Sequence, residues 1–164
     1  MARLRAVVVV VLTAASLGGW WLGRSRAGST HTVRVVHVVD GDTIVVDDRG
    51  RDTTVRLLGV DTPETVHPDE PVQCYGPEAS AFTKAALTGR TVRLETDVER
   101  HDRYGRLLAY VVVDGHRFND ELLRRGYARL LVIPPNGMYA RTMLGEELAA
   151  RRAGAGLWSA CPAR

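Results

Sequence analysis

The sequence predicts an α+β domain, and three observations predict it. Short Val-rich runs come first, amphipathic helical stretches are inserted and appended later, and turn residues punctuate the boundaries. At 164 residues, 45% hydrophobic and 25% charged, the chain has the composition of one ordinary globular domain. About five main strands in a chain of this size can close a small barrel or form an open sheet. Pattern alone does not choose between them.

The elements follow in order. Thr32–Val39 and Thr43–Asp47 read as strands. After the turn cluster Asp47-Asp48-Arg49-Gly50, Thr53–Val60 reads as a third, completing a meander. A loop, Thr62–Gly76, carries Pro63, Pro68 and Pro71. Pro77 suits the first helical position and Glu78 the first turn, with Ala79, Phe82, Ala86 and Leu87 on one face and Gly89 as the stop. Thr91–Asp97 is the next strand. Leu107–Val113 is apolar on both faces, as a central strand would be, and Asp114-Gly115 is a hairpin turn. Asn119 is read as the cap of a short helix through Arg125, with Gly126 ending it. Tyr127–Ile133 is a further short strand, and Ala140–Ala153 a charged amphipathic helix.

Residues 1–27 differ from the rest. Arg3 and Arg5 precede an apolar run over residues 6–22 that includes Trp20 and Trp21, and no A-x-A cleavage site follows. This reads as a signal peptide or an uncleaved signal anchor, with residues 28–164 as the exported domain, secreted or held on the outer face of the cell membrane. If the segment is retained, it contacts the membrane through residues 6–22. The segment holds four arginines and no acid, leaving 18 basic against 19 acidic residues in the remainder. The domain is near neutral, so nucleic-acid binding has to come from a local basic site. Export would place Cys74 and Cys161 in an oxidising compartment. There they form a disulfide, or else stay as two unpaired thiols.

Three clusters carry candidate chemistry. Asp40-Gly41-Asp42-Thr43 is at least a turn. In Arg56-Leu57-Leu58-Gly59-Val60-Asp61-Thr62-Pro63-Glu64-Thr65 an arginine lies in an otherwise apolar strand and needs an anion, which a structural ion pair to a nearby carboxylate also supplies. Asp102-Arg103-Tyr104-Gly105-Arg106 precedes the central strand. Together they offer carboxylates for a hard cation, one spare carboxylate and two guanidinium forks. The five histidines are scattered without ligand spacing and read as surface residues. Oxygen donors without a His/Cys cluster point to Ca²⁺ or Mg²⁺. Cation, base and paired arginines are what phosphodiester hydrolysis needs.

With these motifs, together with Tyr75-Gly76-Pro77-Glu78-Ala79 and the residues after it, the sequence resembles the thermonuclease (staphylococcal nuclease-like) family over roughly residues 32–158. The resemblance implies a five-stranded OB-fold barrel with about three packed helices, and so selects the barrel. It implies Ca²⁺-dependent, sugar-nonspecific hydrolysis of DNA and RNA to 3′-phosphorylated products. It implies Asp42 and Asp61 as carboxylate ligands of Ca²⁺ and Thr62 as a carbonyl ligand. Glu64 is implied as the general base, Arg56 and Arg106 as holders of the scissile phosphate, and Arg103 and Tyr104 as contacts near a terminal phosphate. The expected state is a monomer. The alternative is an OB-fold nucleic-acid-binding module without catalysis, from which part of this acid and arginine set would be missing. A third, an envelope protein with a structural ion-pair network, leaves the four motifs in order unexplained. Two departures from the family pattern imply modest affinity and a shallow salt dependence. Leu130-Leu131-Val132-Ile133 stands where aromatic residues often stack on the base, and Asp69 and Glu70 lie in a loop that is often basic.

Overall fold

In the computed structural model, residues 30–65 and 71–162 are described. The expected signal or anchor segment, together with His67, Asp69 and Glu70, lies outside them.

Five strands form a closed barrel: β1 (Thr30–Val38), β2 (Thr43–Asp47), β3 (Asp52–Leu57), β5 (Thr91–Glu95) and β6 (Leu107–Val113). Pairing runs β3-β2-β1-β5-β6 with every neighbour antiparallel, and a parallel β3–β6 ladder closes the ring. That ladder makes the structure a barrel rather than an open sheet. β1 serves two neighbours, pairing β5 over Thr30–Arg34 and β2 over Arg34–Val38, and a register shift between Val35 and His37 interrupts the β2 ladder. Inward alternation along the strands packs Val35, Ile44, Val46, Val55, Val92, Leu94, Ala109 and Val111 into a fully buried core.

The expected third strand is two strands. β3 ends at Leu57, and β4 (Gly59–Asp61) turns away to pair with β8 (Arg129–Leu131). Gly59 makes the break, with φ near 75° and an imagined Cβ only 2.6 Å from Cε of Met143. No other residue fits both demands. Only Arg129–Leu131 of the expected strand Tyr127–Ile133 pairs. Tyr127 instead closes the preceding helix through its N–H to the Leu122 carbonyl and stacks on Phe82 at 4.4 Å.

About three helices are expected; the described residues hold four. They are α1 (Gly76–Leu87), α2 (Phe118–Arg124), α3 (Ala140–Ala153) and the four-residue α4 (Leu157–Ala160). β7 (His116–Arg117) leads into α2. Asn119 is not the cap of α2. It lies fully buried inside the first turn, accepts the Val111 N–H at 2.9 Å and donates to the Leu58 carbonyl at 2.8 Å. It therefore fastens α2 to β6 and to the break between β3 and β4. His31 also departs from the surface reading: it is half-buried, with Nε2 3.9 Å from the Asp48 carboxylate. Cys74 and Cys161 are joined by a disulfide, with Cα atoms 5.9 Å apart, which ties the end of the Pro loop to the residue after α4.

Candidate active site

The barrel closure gathers the site. In the parallel β3–β6 register Arg56 pairs with Leu108, so Arg106, just before β6, reaches the same end of the barrel as Arg56. The β1–β2 turn, which carries Asp40 and Asp42, meets β3 there through the Leu57 N–H bonded to the Asp42 carbonyl at 2.9 Å.

Asp42 is the buried centre. Its Oδ2 accepts the Thr62 N–H at 2.8 Å and lies 3.0 Å from Nη2 of Arg56, and its Oδ1 accepts the Thr43 hydroxyl at 3.1 Å. Gly41 permits this approach, because a Cβ there would stand 2.8 Å from three atoms of the Thr62 side chain. Thr83 of α1 holds the turn from behind by donating to the Gly41 carbonyl at 2.7 Å.

Arg56 is held on every side. Nη1 donates to the carbonyls of Leu57 at 2.9 Å and Val60 at 2.8 Å, and Nη2 lies 3.4 Å from Oδ1 of Asp61 as well as against Asp42. The ion pair foreseen as the bland account of this arginine is present, to two carboxylates at once. The chain reversal at Gly59 swings Val60 and Asp61 back toward the strand that Arg56 came from.

Arg106 is set by Asp102. Its Nε donates to Asp102 Oδ2 at 2.7 Å, while Oδ1 of the same carboxylate takes the N–H groups of Tyr104 at 2.9 Å and Arg106 at 3.0 Å. Burial pushes the Asp102 carboxyl upward, but these bonds from Arg106 and Tyr104 outweigh it and hold the group below the ordinary carboxylate range. Among the described residues, no acceptor reaches the terminal nitrogens of Arg106. Tyr104 is exposed, with the Arg103 and Arg106 guanidinium carbons 4.7 and 5.4 Å from its ring centre.

Arg56, Arg103, Tyr104 and Arg106 line one cavity of about 470 Å³, whose far wall includes Leu131 and Ile133. Asp61 and Thr62 line a neighbouring one. Glu64 follows in the Pro loop, where its Oε1 accepts the Thr65 N–H at 2.8 Å and its carbonyl accepts the Gln73 N–H at 2.9 Å. The negative charge of Glu64 is felt at Asp40. Burial first, then Asp42 and Glu64, push the Asp40 carboxyl up to about 6. The structure thus brings Asp42, Asp61, Thr62, Arg56 and Arg106 to one face and sets Glu64 beside the same acidic turn.

This is a site with surplus negative charge. Its donors are all oxygen, and two carboxylates share one arginine while a third is driven toward its neutral form. Such a set fits a hard divalent cation. Among the described residues no three His, Cys, Asp or Glu side chains converge into a ready-made metal centre, so a cation here would rest on two aspartates, a carbonyl and water.

Residues 54–160 match the family model described as "Staphylococcal nuclease homologue". The chain is 47% identical over 137 residues to the thermonuclease of Staphylococcus hyicus, covering 84% of this chain and 80% of the relative. The chain belongs to the staphylococcal nuclease family. The thermonuclease of Staphylococcus intermedius is 43% identical over 157 residues, covering 93% and 92% of the two chains. Endonuclease YncB of Bacillus subtilis is 40% identical over 144 residues, covering 82% and 68%. For a staphylococcal nuclease-like chain, sequence reading left two carboxylates without a part. Asp40 and Asp102 were visible only as turn residues. Their signal is local, since each bonds a backbone N–H two residues ahead, Asp40 to Asp42 at 3.1 Å and Asp102 to Tyr104.

Proposed function

We propose that this protein is an exported, Ca²⁺-dependent, sugar-nonspecific nuclease that hydrolyses phosphodiester bonds of DNA and RNA to 3′-phosphorylated products. One observation carries the reading. Arg56 and Arg106 line a single cavity at the end of the barrel where Asp42 and Asp61 converge on Arg56. A buried ion-pair network needs neither the second arginine, aimed by its own aspartate, nor a cavity between them.

Asp42 and Asp61, with the Thr62 carbonyl, would hold the cation. When bound, Ca²⁺ offsets the charge that grows on the phosphate oxygens. Nη2 of Arg56, which sits against both aspartates, would donate to a phosphate oxygen. Arg106 presents its terminal nitrogens to the same phosphate while Asp102 holds its Nε. Glu64 takes a proton from the attacking water. The bond from phosphorus to the 5′ oxygen breaks and the phosphate stays on the 3′ side. Arg103 and Tyr104, stacked at the mouth of the cavity, meet a terminal phosphate. Leu131 and Ile133 give the base an aliphatic wall in place of an aromatic one, so mononucleotides bind modestly. The charged start of the chain, its apolar run and the disulfide support export of residues 28–164, with residues 6–22 as signal or anchor.

The test is incubation of the purified full chain with single-stranded DNA and with RNA, in Ca²⁺ and in EGTA, followed by end-group analysis. Cleavage of both polymers in Ca²⁺ alone, leaving 3′ phosphates, is expected. Full activity in EGTA rejects the metal role. Binding without cleavage returns the chain to the inactive-module reading, which no observation of the site favours.

A further inference from the structure

The second cavity, of about 310 Å³, lies across β4 from the first. Leu57, Leu58, Gly59 and Val60 line the larger cavity and the next residue, Asp61, lines the smaller, so the wall between the two cavities falls at the end of β4. The proposed scissile phosphate, between Arg56 and Arg106 in the larger cavity, lies beside this wall, where Asp61 reaches Arg56. We propose that the smaller cavity is a subsite for the nucleotide that continues the substrate strand beyond the scissile phosphate, with Arg129 as the contact to its phosphate. This rests on the nuclease reading above.

The β4–β8 register sets Arg129 directly opposite Asp61. Asp61 does not spend its charge on Arg129, because its Oδ1 faces Arg56. Arg129 makes no ion pair among the described residues. Its guanidinium lies over the Trp158 ring at 4.6 Å, and Arg151 lies 4.2 Å from the same ring. Arg151 is bonded to Glu147, so Arg129 is the member of this stack whose charge is uncompensated. A guanidinium held over an indole face is fixed at little further entropic cost, and its fork matches a phosphate edge.

The remaining walls suit a nucleotide. Gln73 provides an amide, and Pro63 and Leu157 provide apolar surface for a sugar or base. The disulfide Cys74–Cys161 lines one side, where it ties the Pro loop to the residue after α4. The volume is at the lower end of the range that ligand pockets occupy, enough for one residue of the polymer.

The experiment compares two substrates on the same preparations of full chain in Ca²⁺. One is a single-stranded oligonucleotide. The other is a nitrophenyl phosphodiester of a mononucleotide, which has no flanking nucleotide. For Arg129→Gln, the oligonucleotide-to-ester ratio of kcat/KM is expected to fall about tenfold, chiefly through the oligonucleotide KM. Arg129→Lys should recover part of that ratio. Partial unfolding scales both substrates together and cancels. An unchanged ratio in an active wild-type background overturns the subsite and leaves the nuclease reading standing. Failure of the wild type to cleave either substrate overturns the nuclease reading and the subsite with it.

Discussion

Nη2 of Arg56 sits 3.0 Å from the Asp42 carboxylate and 3.4 Å from that of Asp61, while Nη1 of the same fork caps two backbone carbonyls. One planar group thus ties the β1–β2 turn to the β3–β4 reversal. A lysine ammonium has three donors on a single point and cannot span four acceptors in two directions. Arg56→Lys is expected to lower kcat on single-stranded DNA by roughly 10²-fold or more, in line with loss of one preorganised donor to the reacting phosphate. It should also lower Tm, because the lysine keeps the charge but cannot hold buried Asp42 and the two backbone carbonyls at once. Steady-state kinetics and thermal unfolding of one preparation check both. A wild-type kcat would reduce Arg56 to a structural ion pair.

Glu64 is the proposed general base. Its Oε1 accepts the Thr65 N–H, and its backbone carbonyl, not its side chain, accepts the Gln73 N–H. A glutamine can keep the first bond and does not touch the second. Glu64→Gln should lower kcat about 10²-fold or more, as for loss of a general base, a drop far larger than any loss of folded protein read from Tm on the same preparation. Equal rates for the two proteins would move the base elsewhere.

Asn119 joins α2 to β6 and to the β3–β4 break by one amide, accepting from Val111 and donating to Leu58. Replacing it with alanine orphans a buried N–H and a buried carbonyl together. At about 1–3 kcal/mol for each unsatisfied group, Asn119→Ala is expected to destabilise the fold by roughly 2–6 kcal/mol in urea unfolding. The Leu58 carbonyl sits at the reversal that brings Asp61 to Arg56, so activity should fall below what loss of folded protein explains. A change under about 0.5 kcal/mol would make the bridge incidental.

Asn119 also marks where sequence reading stops. Strands with clean alternation, such as Thr43–Asp47, and turns with Asp-Gly were legible because their signals are local. Asp42, Asp61, Arg56 and Arg106 were legible as a set because four short motifs occur in order. The break at Leu58-Gly59 was not, since Gly59 is required by Met143, which is distant in sequence. Asn119 just before an acidic helical turn has a cap's local signature, yet buried partners in β6 and at Leu58 claim its amide first. The Arg129 stack depends on Trp158 and on the β4–β8 pairing, neither of which leaves a periodic trace.

Asp102 gives a test that couples position to pH. Its carboxylate holds Nε of Arg106 and two N–H groups of the turn, and the pull of Arg106 keeps it ionised below the ordinary range despite burial. A carboxyl with a lowered folded pKa contributes stability that is present above its unfolded value, about 4, and is lost as pH falls through the folded value. Asp102→Asn removes that contribution. The Tm gap between wild type and variant should be widest near neutrality, begin to narrow near pH 4 and close further in more acidic buffer. A gap independent of pH would deny the charge any part. For activity, an asparagine can still accept from the turn but meets Arg106 without a charge. We expect kcat to fall about tenfold or more with Arg106 still present, and little further loss when Asp102→Asn is added to Arg106→Ala. Additive losses in that double mutant would separate the aspartate from the arginine it is proposed to aim.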